Sequence, residues 1–362
     1  MSNKRLYVDF HVIQTVPPSC VNRDDTGRPK TAFYGGVNRA RVSSQSWKHA
    51  VRVMFKEIFE DEKLGFRTKY AVDLIADKLK ANGFDDEKAA KKAAEALSNA
   101  GVKTNDKKGV ITTGALFFIS ALHVEKLAEL VLNDEKDKKK YKEALNSLPS
   151  VDMALFGRMV ADDVDLNVDA SCQVAHSIST HSVESEYDYF TALDDCSKLD
   201  NAGAGHLGTM EFNSSTLYRY ATINVMDLFK SVGSDVADAV AGFTKAFIFS
   251  MPTGKQNSYA NRTLPDLIYV TVREDQPVNF SGAFEEPVER YDSKTREYHG
   301  FVRGSKAKLF EHAKKIYEKY CTKPKYSFVI GNDEANDVVG AEEKNFNELL
   351  TQLREIIVNE VN

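Results

Sequence analysis

Cysteine is scarce. Cys20, Cys172, Cys196 and Cys321 are the only four, and none form a CxxC pair. That scatter argues against a zinc site or a disulfide framework and suits reduced thiols. No stretch approaches the roughly 18 consecutive apolar residues of a membrane span. The opening Met1-Ser-Asn-Lys-Arg-Leu-Tyr-Val-Asp-Phe10 lacks the apolar core and cleavage site of a secretory leader. A cytoplasmic setting is therefore expected. Low-complexity tracts and solenoid repeats are missing. So are the GxSxG, Walker, GxGxxG and HExxH signatures, which removes the commonest enzyme readings. Neither a cofactor nor a metal is expected.

Net positive charge is also missing: the formal balance is −5 and the pI is near 6.0. Taken alone this disfavours a nucleic-acid partner, but the distribution is uneven. Residues 1–56 carry ten Lys/Arg against three acids, a balance of +7, so the remaining 306 residues carry −12. A local basic patch on an acidic protein is a workable footprint for a phosphate backbone.

Hydrophobic periodicity gives an α+β chain. Leu6, Val8, Phe10 and Val12 alternate with Tyr7, Asp9, His11 and Ile13, which predicts a strand over 4–16 ended by Pro17-Pro18. A Pro/Gly/Asn/Asp-rich loop covers 17–38. Ser43 then stands before an apolar stripe at 47, 50, 51, 54, 55 and 58, the pattern of a capped amphipathic helix. Helical character dominates 66–147, with helices expected over 68–82, from the Asp85 cap to Gly101, over 113–132, and then in a lysine-rich segment. Strands are expected at 151–160, 217–225 and 267–272, and helices at 237–249, 306–320 and 342–358. The glycines of Asn201-Ala-Gly-Ala-Gly-His-Leu-Gly208 suggest a long, adaptable hairpin.

The segment from Arg39 to Arg52 carries the most chemistry. A helix N-terminus offers free amides and a positive dipole end, a ready phosphate site. Ser43, Ser44 and Gln45 add donors, Lys48 and Arg52 share a face at i, i+4, and Arg23, Arg28 and Lys30 sit on the preceding loop. The plain alternative is a capped helix with a solvated basic edge. Asp24-Asp25 can be read as a catalytic or metal-holding pair, or as a turn cap. Asp163-Val-Asp-Leu-Asn-Val-Asp169 fails as a calcium loop, with Val168 where Gly is required and Val174 where Glu is expected. His176 and His181 are five apart, off the helical metal-ligand spacing, and suit core or turn roles. Lys136, Lys138, Lys139, Lys140 and Lys142 stand among acids at 134, 135, 137 and 143, which reads as a solvated face or a DNA-steering patch.

Several runs together resemble the CasC family, the backbone (RAMP-superfamily) subunit of type I-E CRISPR Cascade. They are Ser19-Cys-Val-Asn-Arg-Asp-Asp25, Phe33-Tyr-Gly-Gly36, Arg41-Val-Ser-Ser-Gln-Ser-Trp-Lys48, Gly157-Arg-Met159 and Ala175-His-Ser-Ile-Ser-Thr-His181. Asp188-Tyr-Phe-Thr-Ala192, Gly205-His-Leu-Gly-Thr-Met-Glu-Phe212 and Tyr218-Arg-Tyr-Ala-Thr-Ile-Asn224 continue the series in family order. The resemblance implies an RNA-recognition-like (ferredoxin-like) palm over 1–65, 148–182 and 217–362, helical fingers over 66–147 and a thumb hairpin over 183–216. It implies that Arg23, Ser43, Ser44, Gln45, Lys48 and Arg52 hold guide phosphates, and that Met159, after Arg158, wedges at a kink in the RNA. Phe190, Thr191, His206 and Leu207 would contact the displaced nucleotide and the duplex, and Lys30 with the 136–142 lysines would meet target DNA. The implied partners are CRISPR guide RNA, target DNA, other Cascade subunits and further copies of the chain, in a filament of about six.

Two other readings remain open at this level. One is an RNA-cleaving, type III-like backbone subunit using Asp24 or Asp25. The other is a stand-alone enzyme with a basic site for a phosphorylated substrate.

Overall fold

The computed structural model describes residues 4–147, 149–160, 163–192, 206–292, 296–331 and 335–361. The chain divides into two compact units. One comprises Met1–Val51, Val174–Thr222 and Phe247–Thr351; the other comprises Arg52–Gln173, Ile223–Ala246 and Gln352–Asn362.

The first unit is organised on a sheet with strand order Glu342–Glu343, Tyr326–Ile330, Leu267–Arg273, Tyr7–Ser19, His206–Asn224, Ser177–Ser179, Val37–Val42, Thr31–Tyr34. Tyr7–Ser19 is central, and burial follows from that position. Leu6, Val8, Phe10 and Val12 are fully buried on one face, while Asp9, His11 and Ile13 are fully buried on the other. His11 stacks on Phe280 at 4.4 Å between centroids, with Nδ1 2.9 Å from the Tyr218 hydroxyl. Asp9 accepts from the Tyr220 hydroxyl at 3.1 Å and from the Val278 amide at 2.9 Å. Pro17 and Pro18 do not end this strand, which runs on to Ser19. Its ladder with Leu267–Arg273 covers only residues 7–13, so the prolines lie where that neighbour asks for no amide donor.

At the far edge, Thr31–Tyr34 and Val37–Val42 form a hairpin around Gly35 and Gly36, whose φ values of +59° and +77° suit a two-residue turn with both central residues left-handed. Gly35 is required twice over, because a Cβ there would lie 1.6 Å from the Glu285 carbonyl oxygen. Arg39, fully buried, fixes the hairpin by donating to the carbonyls of Tyr34, Ser179 and Phe284 at 3.1, 3.1 and 2.8 Å.

The second unit is largely helical. Ala71–Ala81, Asp86–Asn99, Ala121–Leu132 and Lys138–Asn146 share a core that includes Ile75, Leu79, Leu97 and Leu127. Asp85 caps its helix by accepting the Lys88 amide. Two expectations are corrected here. The 113–132 segment is not one helix: Phe117–Ser120 is a strand paired with Gly65–Thr68, and the helix starts only after Ser120, which caps it through the His123 amide. Val151–Phe156 is a helix, not a strand, and it stops at Gly157. A short apolar run buried all round carries no period to separate the two. The α+β class stands, with a large sheet and helices consistent with a ferredoxin-like palm.

Candidate nucleic-acid interface

Helix Ser44–Phe55 begins directly after the edge hairpin. The Ser43 hydroxyl accepts the Ser46 amide at 3.3 Å, and the Ser43 amide donates to Asn22 Oδ1 at 2.9 Å. One side chain thus fastens the 20–30 loop to the start of the helix. The first turn contains no acid, so the positive end of the helix dipole is uncompensated there. Ser44 and Lys48 are half-buried and Gln45 is exposed. The inner face is held by Trp47, 1% exposed, whose Nε1 donates to Ser177 Oγ at 2.8 Å. Arg219 lies over that ring at 3.8 Å and donates to Gln14 Oε1 at 2.6 Å and to the Phe247 carbonyl. Burial pushes this guanidinium down to about 9, and among the described residues no carboxylate accompanies it in its hydrogen bonds.

The loop displays Arg23 in the open, with its backbone bridged to Pro29. Asp24 Oδ1 accepts from the Thr26 hydroxyl at 2.8 Å and from the amides of Thr26 and Arg28 at 2.9 and 3.0 Å. These bonds, the Thr26 hydroxyl first, hold its carboxyl below the usual range. Asp24 is therefore occupied as the cap of a tight turn. Asp25 is exposed, and no group of His, Cys, Asp and Glu among the described residues can hold a metal. Lys30 is half-buried and receives the Arg41 amide on its carbonyl at 2.9 Å. Arg41 donates Nε to the Thr31 carbonyl at 2.9 Å and sits 3.2 Å from His176 Nδ1. Partial burial, then the Arg41 and Lys30 charges, keep His176 below its ordinary pKa. Asn22 and Arg41 are the contributors that spacing alone did not separate from the motif around them. His181 is structural: it accepts the Thr216 amide at 3.0 Å and stacks on Phe301 at 3.5 Å.

In the second unit, two sequence expectations change. The i, i+4 spacing predicts Arg52 as a solvent-facing phosphate ligand. Instead its Nε donates to Asp152 Oδ2 at 2.9 Å, its Nη2 reaches the Gly65 carbonyl at 3.3 Å, and it covers the Phe118 ring at 4.6 Å. Asp152 is buried, so this arginine neutralises an internal carboxylate. Arg158, expected among RNA contacts, is 4% exposed and donates to the carbonyls of Leu166, Leu145 and Phe118 at 2.8, 2.9 and 3.4 Å. Burial pushes it down to about 10. Its neighbour Met159 is the opposite case: 84% exposed, directly after the buried arginine.

The lysine run is partly paired. Lys136 meets Asp134 and Lys140 meets Glu135, whose carboxyl that bond holds down to about 2. Lys142 lies 2.8 Å from both Asp163 and Asp165, two of the three acids of the failed calcium loop. Lys138 and Lys139 are exposed and form no ion pair among the described residues. Exposed pairs of this kind contribute little and exchange readily.

On the expected thumb, Glu186–Ala192 pairs antiparallel with His206–Asn224, setting Phe190 opposite Gly208 and Thr191 opposite Leu207. Phe190 is 40% exposed, and its ring closes over Gly208, where a Cβ would lie 2.3 Å from it. Thr191 is exposed. Residues 193–205 of the glycine-rich turn, and the side chains of His206 and Leu207, lie outside the described residues.

The profile of the family described as CT1975-like protein matches residues 8–355. The chain is similar to a chain of a "CRISPR RNA-guided surveillance complex, pre-nicking", at 30% identity and a TM-score of 0.84, covering 97% of this chain and 100% of that one. It is also similar to a chain of a "CRISPR RNA-guided surveillance complex", at 26% identity and a TM-score of 0.71, covering 96% and 99% respectively. No curated protein matches. No helix among the described residues is long and apolar enough to cross a membrane.

Proposed function

The chain belongs to the CT1975-like protein family, CasC-like backbone proteins of Cascade, and from that premise we propose that it is a CRISPR-RNA-binding scaffold subunit of the type I-E form. The observation that carries the reading is the capped, acid-free start of helix Ser44–Phe55 beside an exposed Arg23. Backbone amides, the Ser44 and Gln45 side chains and the charges of Arg23 and Lys48 together make a cradle for guide phosphates. Such a cradle reads no base, so sequence is read by pairing between guide and target while the protein holds backbone and shape.

In this reading, copies polymerise along the guide, about six in an open, head-to-tail array. Met159 enters at a kink in the guide, and Phe190, Thr191, His206 and Leu207 meet the displaced nucleotide. Pre-ordering short guide segments lowers the entropy lost on pairing with invading DNA. Lys30, Lys138 and Lys139 attract that DNA. The role is non-catalytic, and Asp24 serves the loop that presents Arg23.

Equilibrium binding of single-stranded RNA over a salt series tests the cradle. The observed affinity should fall steeply with salt, with little preference among sequences. Binding that stays level from low to several-hundred-millimolar salt would remove the phosphate contacts from the account.

A further inference from the structure

Phe33 is 79% exposed on the edge strand Thr31–Tyr34, and burial does not explain it. A phenylalanine left in water forgoes the stabilisation that its burial would bring. Nor is it carried on a loose tip. Arg39 and the close approach of Gly35 to Glu285 fix the hairpin from behind, so the fold presents this ring at a defined place.

The register says which side it faces. Phe33 is opposite Asn38 and Thr31 is opposite Ala40, and cross-strand partners share a face. Ala40 and Val42, two residues apart on that face, lie in one apolar cluster with Trp47. Phe33 therefore projects on the side of the sheet that carries the start of helix Ser44–Phe55. Asn38 and Val42 are four residues apart, about 13 Å along a strand, and Ser43 follows Val42 directly. Residues 26–51 contain neither Asp nor Glu, and Lys48 lies in the first turns of that helix, so the exposed ring stands beside an acid-free stretch of chain that suits a polyanion better than a basic partner.

We propose that Phe33 is a nucleobase-stacking platform beside the phosphate cradle, receiving one base of the bound RNA flat on its ring. This rests on the RNA-binding reading and adds to it a contact with a base. Stacking of this kind tolerates every base, because each has a π face. It fits a subunit that must bind any guide sequence.

The test compares the full chain with Phe33→Ala, Phe33→Leu and Phe33→Trp, each against a ribooligonucleotide and an abasic oligomer of equal length. Phe33→Ala should weaken RNA binding by roughly five- to a hundredfold and leave abasic binding and circular dichroism unchanged. Phe33→Leu should fail to rescue, and Phe33→Trp should rescue. Trp47 is the single native tryptophan and is buried, so new fluorescence in Phe33→Trp reports position 33, and RNA but not the abasic strand should quench it. Equal losses for both oligomers would overturn stacking. So would unchanged RNA affinity in Phe33→Ala accompanied by smaller assemblies, which would assign the ring to a protein partner. A wild-type chain that binds neither oligomer would sink the RNA-binding reading itself, a result distinct from both.

Discussion

Replacing Arg52 with alanine separates a structural arginine from an RNA ligand. The substitution removes the Nε donor 2.9 Å from Asp152 Oδ2, while Asp152 Oδ1 keeps the Gly65 amide at 3.0 Å and the Ser150 hydroxyl at 2.7 Å. The Asp152 side chain is 3% exposed and that of Arg52 is 21%. Stranding a buried carboxylate costs about 3–5 kcal/mol, and the two surviving donors with the partly open arginine put Arg52→Ala at the lower end, about 3 kcal/mol. For a unit of this size that is a fall in Tm of roughly 6–12 °C. Far-UV circular dichroism during urea and thermal unfolding is the suitable assay, because Trp47 fluorescence reports the other unit. Arg52→Ala combined with Asp152→Asn should recover part of the loss, since no charge is then left buried. A stability change within about 0.5 kcal/mol, together with a tenfold loss of RNA affinity, would refute this reasoning and return Arg52 to the phosphate ligands.

Acid should destabilise the chain well above the carboxylate range. Burial lowers His11 to about 3 and His123 and His181 to about 4, so each contributes stability that is present above pH 6.5 and lost as pH falls toward its folded value. Asp9, raised by burial to about 6, works in the opposite sense between pH 6 and 4. The net loss by pH 5 is about 4 kcal/mol, and urea midpoints that do not move between pH 7 and 5 would contradict it. Ser43→Ala should remove about 1 kcal/mol from the helix start, read by unfolding, because only the hydroxyl cap is lost; Asn22→Ala, which deletes the acceptor of the Ser43 amide, should loosen the loop and weaken RNA binding, read by RNA titration. Asp24→Ala should leave complementary RNA uncut in magnesium, as the unaltered chain does, and reduce RNA retention by disordering the turn behind Arg23; cleavage lost on this substitution would favour the type III-like reading. Gly208→Ala should displace the Phe190 ring, seen as altered Phe190 resonances or protease sensitivity of the hairpin without loss of the core.

Much of this was legible in the sequence where one interaction dominates. The alternation at 6–13, the Ser43 and Asp85 caps and the glycine stops each follow from a local rule, and each stands in the structure. Failures occur where the deciding partner is remote. Nothing near Arg52 or Arg158 announces that Asp152 or three backbone carbonyls await them, so both read as open cations. Phe117–Ser120 reads as helix because its apolar run continues the stripe of the following helix, and only pairing with Gly65–Thr68 makes it a strand. The prolines at 17 and 18 break a strand by rule, yet persist in one beyond the reach of its ladder with Leu267–Arg273. Phe33 was visible as a motif residue, but its exposure is a property of the hairpin register.

A scaffold of the proposed kind lines up along RNA and leaves it whole. The measurement is the mass distribution of assemblies formed by the chain on single-stranded RNAs of increasing length, in magnesium, with the RNA recovered afterwards. Mass should rise in equal steps of one 40.5 kDa chain as the RNA lengthens, with full-length RNA recovered at every step. One chain per RNA regardless of length, or RNA recovered in shortened pieces, would contradict it.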